Sequence, residues 1–344
     1  MYLFFKVNRK TFRFMKTFLG IDVGGTKCAT VLARETQAGE IPQILSKKSF
    51  PTIVGKPTET IAKIIACAKE AMAEANVESK DISSIGVSCG GPLDSVRGVV
   101  MSPPNLQGWD NIEIVKILEA EFGAPAFLQN DANACALAEW LYGAGKGSKN
   151  MAFMTFGTGL GAGLILDGKL YAGTNDNAGE VGHIRLEKFG PVGYAKAGSF
   201  EGFCSGSGIA QLGKLKAMEL LQSGKTCGFC KSIDELDSIT AKSIAISADE
   251  GDATAIEVYK ISAQHLGFGI SILIDILNPE KIVIGSIFAR AENLLRAEMQ
   301  KVIDIEALSN ASSVCQVVPA LLGEAIGDIA AVSVASNGLL QRGA

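Results

Sequence analysis

Gly20-Ile-Asp-Val-Gly-Gly-Thr-Lys27 is the stretch of sequence that decides the fold. Residues 17–23 form an apolar run that meets Gly24 and Gly25, and residues 27–34 resume the apolar pattern. Two short runs of this kind separated by glycines predict a β-hairpin. The prediction places Asp22 just before the turn and Lys27 just after it.

The same pattern returns in the second half of the chain. Residues 152–156 are apolar, the turn Gly157-Thr158-Gly159 follows, and residues 162–166 are apolar again. Gly157 therefore corresponds to Gly24. The repeat predicts an internal duplication, with one hairpin in each of two lobes.

Both turns have the composition of an anion-binding site. Glycine lets backbone N–H groups approach an anion, and consecutive N–H groups form a concave phosphate nest. Thr26 and Thr158 add hydroxyl donors, and Lys27 adds a positive charge. Asp22 suits Mg²⁺ bound through water, because this cation keeps several waters and needs few carboxylates. From the turns alone, two ordinary β-hairpins remain the alternative.

Two glycine-rich segments resemble nucleotide motifs without fitting them. Gly157-x-Gly159-x-x-Ala162 fits a relaxed dinucleotide fingerprint, which requires a helix after the turn. Asp167-Gly168 between apolar runs instead predicts a second hairpin, so that a strand follows the turn. Residues 143–148 (GAGKGS) lack the GxxxxGK[ST] frame and are predicted to be a loop at a helix C-terminus.

The remaining pattern predicts strands alternating with helices, which indicates an α/β layered fold. Helices are expected at 58–78, 112–122, 132–141, across much of 207–302 and at 324–339, and strands at 82–88, 126–128 and 281–284. Asn130 and Asp131 stand at the start of an Ala-rich helix, where the helix dipole favours a carboxylate. The simpler interpretation is that one of them only caps this helix.

The composition excludes several classes of protein. Of 344 residues, 32 are Lys or Arg and 36 are Asp or Glu, so a net charge of −4 offers no basic surface for nucleic acid. The most apolar run, residues 266–277, is short and carries Asp275, so no membrane span is predicted. Eight scattered cysteines predict reduced thiols in the cytoplasm rather than the disulfides of a secreted protein. His265 is predicted to be a core or helix-surface residue.

Six segments, in order along the chain, resemble the motifs of the ROK family of sugar kinases and repressors, within the actin-like ATPase superfamily. They are residues 20–27, 85–94 with 102–109, 129–134, 155–161, 179–183 and 278–285. The resemblance covers roughly residues 17–340. It implies a two-lobed actin-like ATPase fold of the ribonuclease H-like type, built from duplicated domains with a cleft between them.

The resemblance also implies ATP-dependent phosphorylation of a sugar hydroxyl, namely O6 of a hexose or N-acetylhexosamine. Asp131 would occupy the catalytic base position, and the chemistry agrees because a carboxylate accepts the proton of a weakly nucleophilic hydroxyl. The implied contacts of Mg²⁺-ATP are Asp22, Gly24, Gly25, Thr26, Lys27, Thr155, Gly157, Thr158, Gly159, Gly285 and Ser286. The implied sugar contacts are Gly91, Asn105, Asn130, Asp131, Glu180, His183 and Glu201.

The chain departs from the family at a structural zinc site that many members carry. That site uses the histidine of a GxxGH motif and three cysteines, whose positions here hold Val192, Tyr194 and Ser199. Zinc in a structural site needs about four ligands, so no zinc is predicted. Another group must then orient the ring of His183 from its far side.

Other departures concern cysteines and two loops. Cys227 and Cys230, with Cys204 nearby, are expected to be free thiols, and a displaced metal site is the alternative. Cys89-Gly90-Gly91-Pro92 and Gly285-Ser286 differ from the usual family sequences near the sugar and near the adenine. Neither change removes a catalytic group, and both leave the sugar and the affinity for ATP open.

The predicted organisation is a small N-terminal α/β lobe at 15–131 and a large lobe at 132–324. A C-terminal helix at about 325–342 is expected to pack back on the small lobe, and residues 1–14 are expected to be a disordered extension or an over-called start. The resemblance further suggests a homodimer.

Three functions compete at this point. The first is a cytoplasmic kinase of the glucokinase, N-acetylmannosamine kinase or fructokinase kind. The second, a repressor, would need a helix-turn-helix domain of about eighty residues before a phosphate motif that here begins at residue 20. The third is a catalytically idle sugar sensor, and the retained residues argue against it; they are Asp22, Lys27, Thr158 and Asp131.

Overall fold

The computed structural model describes residues 15–37 and 39–343, so the predicted N-terminal extension lies outside the described residues. The strands are β1 (Thr17–Val23), β2 (Lys27–Arg34), β3 (Gln43–Pro51), β4 (Ile82–Cys89), β5 (Leu93–Asp94), β6 (Val99–Val100), β7 (Ala126–Asn130), β8 (Met151–Phe156), β9 (Leu160–Leu166), β10 (Lys169–Tyr171), β11 (Val192–Gly193), β12 (Lys196–Ala197), β13 (Lys281–Ile284) and β14 (Gln316–Pro319). The α-helices are α1 (Pro57–Glu74), α2 (Ile114–Phe122), α3 (Asp131–Tyr142), α4 (Phe200–Phe203), α5 (Gly206–Gln222), α6 (Ala241–Asp249), α7 (Ala253–Leu277), α8 (Ile287–Arg290), α9 (Glu292–Glu306), α10 (Ser309–Ser312) and α11 (Ile326–Arg342).

Two five-stranded sheets share one topology, which confirms the predicted α/β class. The first has the order β3-β2-β1-β4-β7 and the second the order β10-β9-β8-β13-β14. In each sheet three strands pair antiparallel and two more join in parallel. Both predicted glycine turns connect antiparallel strands, β1 to β2 and β8 to β9. The matching order of the two sheets supports the internal duplication.

The first sheet is covered by helices on both faces. On one face α1 buries Ile61, Ile64, Ala68 and Met72, which recur at helical spacing. On the other face α11 lies against β1 and β4. Glycines permit this approach, because a Cβ at Gly86 would collide with the backbone of α11. The C-terminal helix thus contacts the first sheet, while the lobe boundaries remain a prediction.

Helices α5, α6, α7 and α9 form the core beside the second sheet. Helix α7 is long and apolar enough to cross a membrane by length and composition, and 50% of its most apolar window is buried inside the fold. Helix α7 lies within the region 207–302 that is predicted to be largely helical, and polar positions such as Glu257 and Lys260 interrupt its apolar pattern.

Some elements escaped the sequence analysis for physical reasons. Strand β3 is largely exposed and carries Lys47 and Lys48, so it shows no apolar alternation. It lies at the edge of its sheet, where charged side chains are ordinary. Strand β14 is the edge of the other sheet and is only four residues long. Helix α1 ends at Glu74, four residues before the predicted end.

The close approach of α11 to the first sheet predicts the effect of Gly86→Ala. The added Cβ would meet the backbone of Ala331 and Ala335, which cannot yield without moving the helix. Overpacking of this kind costs about 1–3 kcal/mol, so thermal unfolding should shift down by several degrees.

Gly327→Ala, on α11 itself, is the matched control, because no atom lies within 4 Å of the added Cβ. Equal melting temperatures for Gly86→Ala and Gly327→Ala would contradict this packing of α11.

Candidate active site

The parallel strands of the first sheet bring their carboxyl ends to one edge. Val23 pairs with Cys89, and Cys89 pairs with Asn130, so β1, β4 and β7 end side by side. Asp22 lies on the first of these strands, and Asp131 follows the last of them directly. In parallel α/β sheets ligands bind outside this edge of the strands.

Asn130 and Asp131, at the start of α3, make different hydrogen bonds. The Oδ1 atom of Asn130 accepts a hydrogen bond of 2.7 Å from the backbone N–H of Asn133, so Asn130 is the cap of the helix. Asp131 Oδ1 accepts from the nearby N–H of Ala132, at 2.8 Å, and the residue is exposed and lines the cleft. The simpler interpretation, that this pair merely caps the helix, therefore holds for Asn130 and leaves Asp131 available.

A cleft of about 740 Å³ opens beside Asp131. It is lined from the first sheet by the residues after β4 and β7, and from the second by the turn between β8 and β9. The predicted site residues that line it are Gly91, Asn130, Asp131, Thr155, Gly157, Thr158, Gly159, Glu180, His183 and Glu201.

The second glycine turn is held from several sides. Thr155 Oγ1 accepts from the N–H of Gly161 at 2.9 Å, and Glu201 Oε2 accepts from the N–H of Leu160 at 2.9 Å. The N–H of Gly206, at the start of α5, donates to the carbonyl of Gly157 at 2.7 Å. Strand β9 follows the turn, so the dinucleotide interpretation is excluded as predicted.

The other eight predicted site residues do not line this cleft; they are Asp22, Gly24, Gly25, Thr26, Lys27, Asn105, Gly285 and Ser286. The first turn packs on the 102–106 loop, since a Cβ at Gly25 would collide with the backbone of Asn105. Ser286 lies beside the second turn, because a Cβ at Gly157 would be 3.8 Å from its Oγ. The first turn and Ser286 thus adjoin segments that line the cleft, namely the 102–106 loop and the second turn.

Carboxylates dominate the electrostatics of the cleft. Burial, followed by the charge of Asp131, raises the pKa of Asp22 from 3.8 to about 6. Loss of hydration also raises the pKa of Asp131, against an opposing hydrogen bond from Ala132. Burial raises the pKa of Glu180, with further contributions from Asp131 and Glu201. A cation entering the cleft would relieve this repulsion.

The segment around His183 brings two carboxylates to the same wall. Gly179 has φ +90°, and a Cβ there would collide with the carbonyl of Ala162 on β9, so only glycine allows this close passage. Glu180 and His183 therefore reach the cleft beside Glu201, which lies on α4. Carboxylate and imidazole groups together offer acceptors and donors for a polyhydroxylated ligand.

The positions expected to lack zinc ligands form a small hairpin. Val192 and Tyr194 belong to the β11–β12 hairpin, and Ser199 Oγ accepts from the N–H of Gly202 at 3.1 Å as the cap of α4. In the described residues no group of three or more His, Cys, Asp or Glu side chains is arranged to hold a metal ion.

The cysteines behave as free thiols, as predicted. Cys227 and Cys230 face each other across a β-bridge, whereas the thiol of Cys204 donates to the carbonyl of Ser262 on α7. His265 lies outside the cleft, with its Nδ1 atom 2.8 Å from the carbonyl of Ile261 and its ring stacked on Phe203. Residues 143–148 form the loop after α3, as predicted, and Gly145 N–H donates to the carbonyl of Glu139.

Sequence reasoning missed Asp176, Asn177 and Tyr194, which also line the cleft. Asp176 accepts hydrogen bonds from the N–H and the hydroxyl of Ser95, at 2.8 and 2.7 Å. No local pattern signals this contact, because the two residues lie far apart in the sequence.

Comparison with known proteins identifies relatives of the whole chain. The profile of the ROK family matches residues 18–337. A glucokinase of Halalkalibacterium halodurans is 34% identical over 315 residues, which are 91% of this chain and 92% of the relative. The solved structure of a ROK family glucokinase from Streptomyces griseus in complex with glucose and AMPPNP has a TM-score of 0.72 and 28% identity, covering 94% of this chain and 100% of that one. The DNA-binding regulator NagC of Escherichia coli is 32% identical over 76% of this chain, which covers 63% of NagC.

The raised pKa of Asp22 predicts that Asp22→Asn changes the thermal stability of the ligand-free protein by an amount that depends on pH. Asp22 binds its proton more tightly in the folded chain than in the unfolded chain, and this tighter binding stabilises the fold. The stabilisation is fully present below about pH 4 and is lost as the pH rises through about 6. Asparagine stays neutral, so the variant should gain melting temperature over wild type at about pH 7.5 and gain less at about pH 5.

Asp234→Asn is the control, because Asp234 is exposed and does not line the cleft. A difference between Asp22→Asn and wild type that is the same at both pH values would show that Asp22 is not perturbed in this way.

Proposed function

The chain belongs to the ROK family, and we propose that it is an ATP-dependent sugar kinase that phosphorylates a hydroxyl, O6, of a hexose or N-acetylhexosamine. One observation carries the proposal. Asp131 is an exposed carboxylate that lines the same cleft of about 740 Å³ as a glycine–threonine turn of the second sheet. The glucokinase relatives, which match over nearly the whole chain, support a sugar kinase.

Asp131 would act as the general base. Phosphoryl transfer requires a positioned nucleophile and neutralisation of charge, and a sugar hydroxyl loses its proton as it attacks. The position of Asp131 in the first turn of α3 favours its ionised form, whereas the low hydration of the cleft makes it a stronger proton acceptor. The cap formed by Asn130 keeps the carboxylate free for this role.

The two turns would bind the phosphates of ATP. Thr158 and Gly159 of the second turn line the cleft, and their backbone N–H groups and the Thr158 hydroxyl would contact phosphate. Gly24, Gly25, Thr26 and Lys27 would complete the phosphate site from the first turn, which adjoins the cleft. Gly285 and Ser286, at the end of β13, would lie toward the adenine.

Mg²⁺ bound with ATP neutralises charge on the phosphates. Asp22 fits such a cation, because burial and the charge of Asp131 raise the pKa of its carboxyl to about 6, and a nearby positive charge would favour the ionised form. A single carboxylate suffices for a cation that keeps most of its waters.

The sugar would occupy the part of the cleft beside Glu180, His183 and Glu201. Glu180, His183 and Glu201 line the cleft there, together with Gly91 and Asn130, and Asn105 lies beside the first turn. A sugar lacking one of the matching hydroxyls would leave a buried polar group unsatisfied, which costs about 1–3 kcal/mol. We further propose a cytoplasmic homodimer without structural zinc.

A catalytically idle sugar-binding regulator is the second candidate. The similarity to NagC favours it, because that relative is a DNA-binding regulator. The retained Asp131 and both phosphate turns favour the kinase.

The catalytic role predicts the behaviour of Asp131→Asn. A coupled ADP-release assay over hexoses and N-acetylhexosamines should identify a substrate for the wild type. The variant should then lose about 10²–10⁴-fold in kcat, because the proton acceptor is gone, while calorimetry still detects binding of that sugar.

Asp234→Asn, which alters an exposed carboxylate away from the cleft, is the matched control. Full activity of Asp131→Asn would reject the base role. A wild type that binds sugars and turns over none would establish the idle regulator instead.

The replaced ligand positions predict that the purified protein contains little zinc. Val192, Tyr194 and Ser199 offer no thiolate, so elemental analysis should find zinc well below one atom per chain. A zinc chelator added in the presence of excess Mg²⁺ should leave melting temperature and turnover unchanged. Stoichiometric zinc would overturn this part of the proposal.

A further inference from the structure

The hairpin of β11 and β12 has an unusual turn at the wall of the cleft. Val192 pairs with Ala197 and Gly193 with Lys196, so the turn consists of Tyr194 and Ala195 alone. Their φ angles are +43° and +60°. Two-residue hairpin turns of this kind favour Asn-Gly, because other side chains are strained in the left-handed region. Tyrosine and alanine are therefore held here by their surroundings.

Three contacts anchor the base of the hairpin. The side chain of Gln211, on α5, donates to the carbonyl of Val192 and accepts from its N–H, both at 2.9 Å. Arg185 donates to the carbonyl of Ala197 at 2.7 Å. Gly193 lies against α4, since a Cβ there would be 2.8 Å from the Cβ of Glu201. The hairpin is thus fixed to the helix that carries Glu201.

The tip of the hairpin contacts His183. The ring of Tyr194 meets the imidazole edge to face, with 6.2 Å between centroids and 75° between planes. Lys196 Nζ donates to the carbonyl of His183 at 2.7 Å. Within the described residues the hydrogen bonds of His183 involve its backbone, and the ring of Tyr194 is the aromatic group beside its imidazole. Tyr194 itself is 75% exposed and lines the cleft.

From this geometry we propose that Tyr194 is a positioning residue for the sugar: it fixes the ring of His183 and forms an aromatic wall of the sugar subsite. The inference rests on the proposed function, because it requires a sugar beside His183. An imidazole that is already oriented does not lose freedom when the sugar binds, so affinity rises without a new hydrogen bond. A strained turn that serves no purpose would be expected to relax to a favourable sequence, whereas strain is common where a side chain must be presented.

Tyr194→Ala tests the proposal by two independent readouts. The chain has two histidines, so imidazole NMR signals belong to His183 and His265 alone, and His265→Asn assigns them. Tyr194→Ala should shift the His183 signals, because the neighbouring aromatic ring is lost, and should leave those of His265 in place. The KM for the sugar should rise on the order of tenfold while kcat stays within about twofold, since the lost orientation weakens binding more than chemistry.

Two further variants distinguish the effect of losing the aromatic ring from the effect of altering the turn. Tyr194→Phe retains the aromatic ring and should restore both the His183 signals and the low KM. Ala195→Gly is the matched control, because it alters the same turn, relieves its left-handed backbone and keeps the ring. It should raise the melting temperature slightly and leave KM unchanged.

The outcomes distinguish this proposal from the function on which it rests. Unchanged His183 signals in Tyr194→Ala, or a changed signal with unchanged KM, would overturn the role of Tyr194. Failure of the wild type to phosphorylate any sugar would defeat the kinase, and the sugar affinity measured by calorimetry would then replace KM. Equal affinity of wild type and Tyr194→Ala in that experiment would again overturn the proposal.

Discussion

One hydrogen bond at the junction of β7 and α3 determines how the cleft can function. A helix N-terminus has N–H groups that need acceptors, and here Asn130 satisfies that need through Asn133. Asp131, the next residue, is consequently released from capping and stands at the edge where three parallel strands end. The order Asn-Asp thus gives the helix a neutral cap and gives the cleft a carboxylate.

The rest of the site combines further carboxylates with a turn whose backbone N–H groups can bind anions. Asp22 and Glu180 contribute to a negative cleft in which the pKa values of carboxyl groups are raised. The second turn also lines the cleft, and backbone N–H groups such as those of Thr158 and Gly159 attract anions. A ligand that carries phosphates together with a divalent cation matches both halves, whereas a simple anion or a simple cation matches only one.

Much of this arrangement follows from the sequence because its signals are local. The glycine turns, the strands beside them and the loop at 143–148 depend on residues adjacent in the chain, and each forms as predicted. The edge strand β3 was missed because its exposed lysines conceal the alternation that marks a strand. The glycine turns predict one hairpin in each sheet, but they do not predict the complete strand order that the two sheets share. That order depends on long-range packing.

The site was less predictable where distant segments meet. Asp176 reaches Ser95, and Tyr194 reaches His183, through contacts that no spacing in the sequence reveals. The sequence marks Tyr194 as a position without a zinc ligand, and its place on the wall of the cleft follows from the fold of the hairpin. Residue identity therefore indicated the chemistry, and tertiary contacts decided which side chains share the cleft.

A crystal structure of this chain with glucose and a non-hydrolysable ATP analogue tests the central claim most directly. The account predicts a sugar hydroxyl within hydrogen-bond distance, about 2.6–3.2 Å, of the Asp131 carboxylate, with the terminal phosphate between residues 24–26 and 157–159. A sugar bound elsewhere, or one whose hydroxyls turn away from Asp131 while the nucleotide is in place, would contradict it.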